Sequence, residues 1–207
     1  MLLSARTQEK LNSEQSRGNW VIRSADRRAA DLARAIKVCP LVAQVLINRG
    51  VTEAENARVF LRPKLTDLID PGQMPGIAPA VERLKQAITN KEKITVYGDY
   101  DVDGITGVAI LWSVLAGLGA DVDYYIPHRV DEGYGLNADA VQALAKSGSR
   151  LLVTVDCGVT AFHSAETAAQ LGLDLIITDH HQPAADLPKA LAIVHPALYE
   201  SYPNQDS

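Results

Sequence analysis

The chain has 207 residues, 47% hydrophobic and 22% charged, which is enough apolar material for a real core and excludes disordered and low-complexity classes. No apolar run reaches the roughly 18 residues of a membrane span, and the N-terminal MLLSARTQEKLNSEQSRGNW lacks a signal peptide's continuous apolar stretch, so a cytoplasmic protein is expected. Two cysteines, Cys39 and Cys157, are too few for a disulfide framework or a cysteine metal cluster, and the net charge of −5 hides an asymmetry: residues 1–93 carry 16 basic and 10 acidic side chains, residues 94–207 carry 4 and 15 and hold all five histidines.

In chain order, Arg27 to Lys37 predicts a first helix and Leu41 to Asn48, after Pro40, a second that Gly50 stops. Thr52 and Glu55 stand at capping-box spacing ahead of Ala57, Val59, Phe60 and Leu61, and Pro63 ends that helix. A Pro/Gly-rich link from Asp70 to Pro79 leads into a helical pattern with Val81, Leu84 and Ile88 on one face. From Lys93 onward short aliphatic runs alternate with helical stretches. The expected strands are Ile94 to Tyr97, Val122 to Ile126, Leu151 to Val155, Leu175 to Thr178 and Leu191 to Val194; the helices between them are Ile105 to Leu118, Asn137 to Lys146 and Ala161 to Leu171. Such alternation predicts an α/β fold with a five-stranded, mostly parallel sheet and crossover helices, preceded by a small helical region. The division expected is 1–74 for the helical region and 75–207 for the α/β domain. The helix from Ile105 is apolar on nearly all sides and is expected to be well buried.

Polar motifs follow the strands in order: Gly98-Asp99-Tyr100-Asp101-Val102-Asp103-Gly104, His128-Arg129, Asp156-Cys157-Gly158, Asp179-His180-His181 and His195-Pro196. Open parallel sheets bind ligands at that edge, so the acids collect along one rim. If Asp99, Asp101 and Asp103 continue the strand, alternate side chains share a side, and two ionised carboxylates ~4 Å apart repel by roughly 4 kcal/mol at an effective dielectric of 20. Capping of the next helix explains one acid, not three, and a cation site explains all of them. An EF-hand is excluded, because the position that needs a bidentate Glu is Ile110. An aspartyl-phosphate loop on Asp101 leaves the histidines unexplained. Asp and neutral His suit manganese, with magnesium the harder alternative; Asp156 either bridges two ions or caps the helix from Ala161. Arg129 suits bidentate capture of a phosphate, the glycines of Gly133-Tyr134-Gly135 allow close approach, and His163 reads as a surface helix residue.

With these motifs assembled, the chain resembles the DHH phosphoesterase family, and within it the RecJ single-strand-specific exonucleases. The resemblance rests on Val96-Tyr-Gly-Asp-Tyr-Asp-Val-Asp-Gly-Ile-Thr106, Ile126-Pro-His-Arg-Val-Asp-Glu-Gly-Tyr-Gly-Leu-Asn137, Val155-Asp-Cys-Gly158 and Thr178-Asp-His-His181, with Cys39 to Gly50 and Phe60-Leu-Arg-Pro63 in the helical part. It implies hydrolysis of the phosphodiester at the 5′ end of single-stranded DNA, assisted by two divalent cations, Mn2+ or Mg2+. By motif, Asp101 holds one ion, Asp103 and His180 the other, and Asp156 bridges them. His181 and Arg129 bind the phosphate, and Asp99 and Asp179 support the loops. The implied partners are single-stranded DNA and replication or repair proteins, with no membrane, in DNA repair and recombination. Some relatives have a metal-binding His where this chain has Tyr97, and Asn-Pro is usual where it has His195-Pro196. The family has a further metal-binding Asp, a second catalytic domain and an OB-fold farther along, so the chain reads as an N-terminal portion, cut short at its C-terminal end and impaired by itself. The alternative is a catalytically weak module that keeps the fold and binds single-stranded DNA or a partner protein.

Overall fold

The computed structural model describes residues 24–198, and the N-terminal stretch read above for a signal peptide lies outside them. The chain divides between Leu68 and Ile69 into two compact units. The first contains α1 (Ala29–Ile36), α2 (Pro40–Asn48) and α3 (Ala54–Leu61), which bury Leu32, Ala33, Ala43, Leu46 and Ala57 against one another. Pro40 starts α2, where a missing amide costs nothing. The capping box does not form: α3 begins at Ala54 with Glu53 as its uncapped flank, and Glu55 pairs instead with Arg58 at 3.0 Å. That register puts Thr52 one residue too early to serve as the cap. Arg58 also donates to the Ala35 carbonyl at 2.9 Å, which ties α3 to the end of α1.

The second unit runs α4 (Ile77–Asn90), β1 (Ile94–Gly98), α5 (Val102–Gly117), β2 (Val122–Tyr125), α6 (Ala138–Lys146), β3 (Leu151–Val155), α7 (Phe162–Gln170), β4 (Asp174–Thr178) and β5 (Ala192–Val194). Its five strands are all parallel, in the order β2-β1-β3-β4-β5. Alternation along the strands builds two cores. Ile94, Val96, Leu151, Val153 and Ile176 face α4 and α5; Tyr97, Leu152, Leu175 and Ile177 face α6 and α7. Strands buried on both sides need continuous apolar runs, which the sequence has. Arg83 on α4 bridges Glu92 at 2.5 Å and Asp174 at 2.7 Å, joining that helix to the start of β4.

One expectation fails here. α5 buries Gly104, Val108 and Leu115, but Ile110 is 67% exposed and Leu118 63%, with Ile105, Trp112 and Val114 also open. It starts at Val102 and packs on β1 and β2 by one stripe, so an all-round apolar sequence does not give all-round burial. No helix among the described residues is long and apolar enough to cross a membrane.

The chain leaves β1 for β2 on one side and returns to β3 on the other, so the strand order reverses beside β1. Crevices at such a reversal, beyond the carboxyl ends of the strands, receive ligands because successive loops diverge there.

Candidate metal centre

β1 stops at Gly98, so the three aspartates do not alternate along a strand as expected. A methyl group on Gly98 would meet the Val108 side chain at 2.2 Å, and one on Gly104 would meet the Asp99 carbonyl oxygen at 2.6 Å. These two glycines let α5 begin directly against the strand end. Asp99 is thereby only 2% exposed, its amide donating to the Val155 carbonyl at 3.3 Å, and its Oδ1 has no hydrogen-bond partner. Asp101 caps α5 by accepting from the Gly104 amide at 3.1 Å, which holds its carboxyl below the usual range. Asp103 lies in the first turn with its side chain 67% exposed.

Asp156 follows β3 with φ of 62°, a left-handed conformation that Asp tolerates better than most residues. It does not cap α7, whose flank is Ala161 with no side-chain cap. Both of its carboxylate oxygens are buried without a hydrogen-bond partner. Burial, with the charges of Asp103 and Asp101, pushes that carboxyl above its ordinary value. His180 Nε2 lies 3.0 Å from Asp156 Oδ1, without hydrogen-bond geometry, and 3.8 Å from Asp103 Oδ2. Two sets of donor atoms gather within 4.8 Å: one each from Asp99, Asp101 and Asp156, and one each from Asp156, His180 and His181. Asp156 belongs to both. Buried carboxylate oxygens without partners cost several kcal/mol, on the order of 2 to 7 each for unpaired polar groups, and a cation removes that cost. An octahedral ion with bonds of about 2.1 Å places neighbouring donors about 3 Å apart, the observed His180–Asp156 separation. Carboxylate oxygen with imidazole nitrogen is a donor set for Mn2+, and Mg2+ fits its oxygens.

Asp179 is the hub behind this rim. Burial would raise its carboxyl, but the amides of Val159 (2.9 Å), His181 (3.1 Å) and His180 (2.7 Å) and the His181 ring (2.8 Å) outweigh it and hold it low. The contact at 2.8 Å is to His181 Nδ1, so Asp179 does not engage Nε2. Buried His195 donates from Nε2 to the His181 carbonyl at 2.7 Å while Nδ1 accepts from Ala197, so it fixes the backbone of the histidine pair. The structure therefore brings together Asp99, Asp101, Asp156, His180 and His181, sets Asp103 beside His180, and keeps Asp179 behind them as a support.

Arg129 makes no ion pair among the described residues; its guanidinium lies 5.1 Å from the centre of the Tyr100 ring. His128 pairs with Asp131 at 2.8 Å, and His163 is exposed on α7, as read from the sequence. Tyr97 is fully buried and donates its hydroxyl to the Gly135 carbonyl at 2.9 Å. Cys157 is buried too, and burial pushes its thiol up, so it is a core residue. Sequence reasoning missed Tyr134, whose ring packs edge-on to His181, and Tyr100, which touches both Tyr134 and Arg129. The aromatic at the centre of a Gly-Tyr-Gly turn was the available signal.

Residues 93–202 match the model of the DHH family, N-terminal domain. The chain is 46% identical over 182 residues to the single-stranded-DNA-specific exonuclease RecJ of Bacillus subtilis, covering 87% of this chain and 23% of that protein. It is 39% identical to the RecJ of Thermus thermophilus, over 81% of this chain and 24% of the relative. Among solved structures, it resembles an exonuclease RecJ bound to manganese, with a TM-score of 0.61 and 41% identity over 65% of this chain and 34% of the other. It also resembles RecJ in complex with Mn2+ from Thermus thermophilus, with a TM-score of 0.62 and 33% identity over 86% of this chain and 24% of the other. The chain spans about a quarter of the length of these curated relatives.

Proposed function

We propose, from the premise that this chain belongs to the DHH family, that it forms the metal-binding part of an exonuclease acting on phosphodiester bonds at the 5′ end of single-stranded DNA. One observation carries the reading: Asp156 presents two buried, unpartnered oxygens between Asp101 and His180. Asp101 and Asp156 hold a first divalent cation, and Asp99, placed with them, adds a third carboxylate that compensates for Tyr97 standing where some relatives have a metal-binding His. Asp103, His180 and Asp156 hold a second. When bound, such cations ease deprotonation of the attacking water and stabilise charge gathering on the phosphate oxygens.

The chain's own side chains do the remaining work. His181, its Nδ1 engaged by Asp179, turns Nε2 toward the position of the scissile phosphate. Arg129, exposed at the same rim and in no ion pair among the described residues, takes a phosphate oxygen with its fork of donors. The catalytic domain is assigned to 75–207. The relatives' name supports single-stranded DNA as partner, and work in the cytoplasm, in repair and recombination, is part of the same proposal. Five acidic or imidazole ligands are few for two six-coordinate ions, so turnover by these residues alone is expected to be slow.

The test is calorimetric titration of the chain with Mn2+, alongside Asp101→Ala and His180→Ala, followed by incubation with 5′-phosphorylated single-stranded DNA. The expected result is Mn2+ binding that each substitution weakens and mononucleotide release, slow in the parent, that each abolishes. Binding unaffected by both substitutions would refute the assignment.

A further inference from the structure

The segment between Arg129 and Asn137 contains a feature that the metal centre does not use. Gly133 (φ 77°) and Gly135 (φ 83°) flank Tyr134 in left-handed conformations, where a side chain would be strained. The turn so formed is anchored from behind. Tyr97 donates to the Gly135 carbonyl at 2.9 Å, and Ser164 on α7 donates to the Leu136 carbonyl at 2.6 Å. Both anchors are buried. Tyr134 consequently projects from a fixed base while remaining 55% exposed itself.

Its hydroxyl lies 3.1 Å from His181 Nε2 and 3.2 Å from Nδ1, with the two rings 5.7 Å apart at 73°. The hydroxyl is thus almost equidistant from the two ring nitrogens and rests against the ring rather than on the axis of either, while Asp179 holds Nδ1 at 2.8 Å. On the other side Tyr134 packs edge-on to Tyr100, 6.4 Å between ring centres, and Tyr100 carries Arg129 on its face. Arg129, Tyr100, Tyr134 and His181 thus form one continuous strip along the rim. Its two ends are the groups assigned above to the phosphate.

We propose that Tyr134 is a positioning residue that fixes the ring of His181 for phosphate binding, through contact of its hydroxyl with the imidazole and edge contact of its ring, which leaves Nε2 to the phosphate. The inference rests on the reading of His181 as a phosphate-binding group. Asp179 alone holds one nitrogen and leaves the ring able to swing about that contact; a second contact, from Tyr134, removes the freedom.

The experiment compares the metal-free 207-residue chain with Tyr134→Phe and Tyr134→Leu by 15N-edited NMR of the histidine rings, then titrates each, loaded with Mg2+, with inorganic phosphate. Tyr134→Phe is expected to leave the melting temperature unchanged. The His181 ring signals shift and broaden, and phosphate affinity falls about fivefold, the worth of one modest polar contact. Tyr134→Leu, which also removes the aromatic contact, gives the larger loss. His181 signals identical in all three proteins would overturn the proposal, as would equal phosphate affinity in all three. If no protein binds phosphate while His181 responds to Tyr134→Phe, the phosphoesterase reading fails and the positioning contact stands.

Discussion

Replacing Asp156 by Asn separates what this residue does for folding from what it does for a cation, because the two effects have opposite signs. Asn keeps the shape of the side chain and tolerates the left-handed φ of 62°, so the backbone after β3 is not perturbed. In the metal-free protein Asp156 is a liability. Its side chain is 7% exposed, neither oxygen is satisfied, and donor atoms of Asp99 and Asp101 lie within 4.8 Å. At that separation two full charges repel by roughly 3.5 kcal/mol at an effective dielectric of 20. The nearby His180 and His181 offset part of this when protonated, so a net relief of about 1 to 2 kcal/mol is expected from the amide. With EDTA present, the Asn variant therefore melts several degrees higher than the parent. With Mn2+ at 100 times its dissociation constant the order reverses, since binding stabilises the parent by about 2.7 kcal/mol and the variant by far less. Thermal melts in EDTA and in a Mn2+ series read both effects from one pair of proteins. A variant less stable in EDTA, or one that retains the full Mn2+ shift, would show that Asp156 is an ordinary structural acid.

Gly104→Ala places a methyl group 2.6 Å from the Asp99 carbonyl oxygen and within 2.9 Å of two more Asp99 backbone atoms, and is expected to destabilise the α/β unit by more than about 2 kcal/mol in urea unfolding. Arg83→Met leaves Glu92 and Asp174 without their shared partner and is expected to cost about 1 to 2 kcal/mol, less in 1 M salt, by the same measurement. The Tyr125 hydroxyl donates to Glu132 at 2.6 Å, and that carboxylate, with some burial, pushes the phenol up to about 12. A raised acid favours the folded state fully below its unfolded value of about 10 and loses that contribution as pH climbs toward 12. Ultraviolet titration should find Tyr125 among the late-ionising tyrosines, beside Tyr97 and Tyr134, whose phenols burial also pushes up, and Tyr125→Phe should remove one phenol from that late group together with the corresponding alkaline slope of stability.

The strands were legible because burial on both faces demands unbroken aliphatic runs, and Leu151–Val155 matches its reading residue for residue. Strand order was legible only as a class: that β1 sits between β2 and β3 depends on which crossover packs on which face, and no local pattern encodes that. The burial of α5 was misread for a related reason. Periodicity shows which faces of a helix are apolar, not which of them another element covers, and Trp112 and Ile110 remain open. At the rim, residue types pointed to the chemistry while the geometry was hidden. Asp99, Asp101 and Asp103 do not share a strand face; a turn at Gly98 and Gly104 divides them among a buried carboxylate, a helix cap and an exposed first-turn position.

That division bears on the choice between capping and cation binding, which the sequence poses as alternatives. Asp101 accepts the Gly104 amide through Oδ1 at 3.1 Å, and it also contributes a donor atom to the group with Asp99 and Asp156. One carboxylate has lone pairs for both tasks. The cap even prepares the site: by holding the carboxyl ionised and its rotamer fixed, the N-terminus of α5 removes the entropy that a cation would otherwise have to overcome when gathering a mobile side chain. The positive end of the same helix also offsets some of the repulsion among three acids before any ion arrives. Capping therefore accounts for how so concentrated a negative cluster survives folding, and the unpartnered oxygens of Asp99 and Asp156 show what capping leaves undone. A fold that needed only a helix cap could have stopped at Asp101.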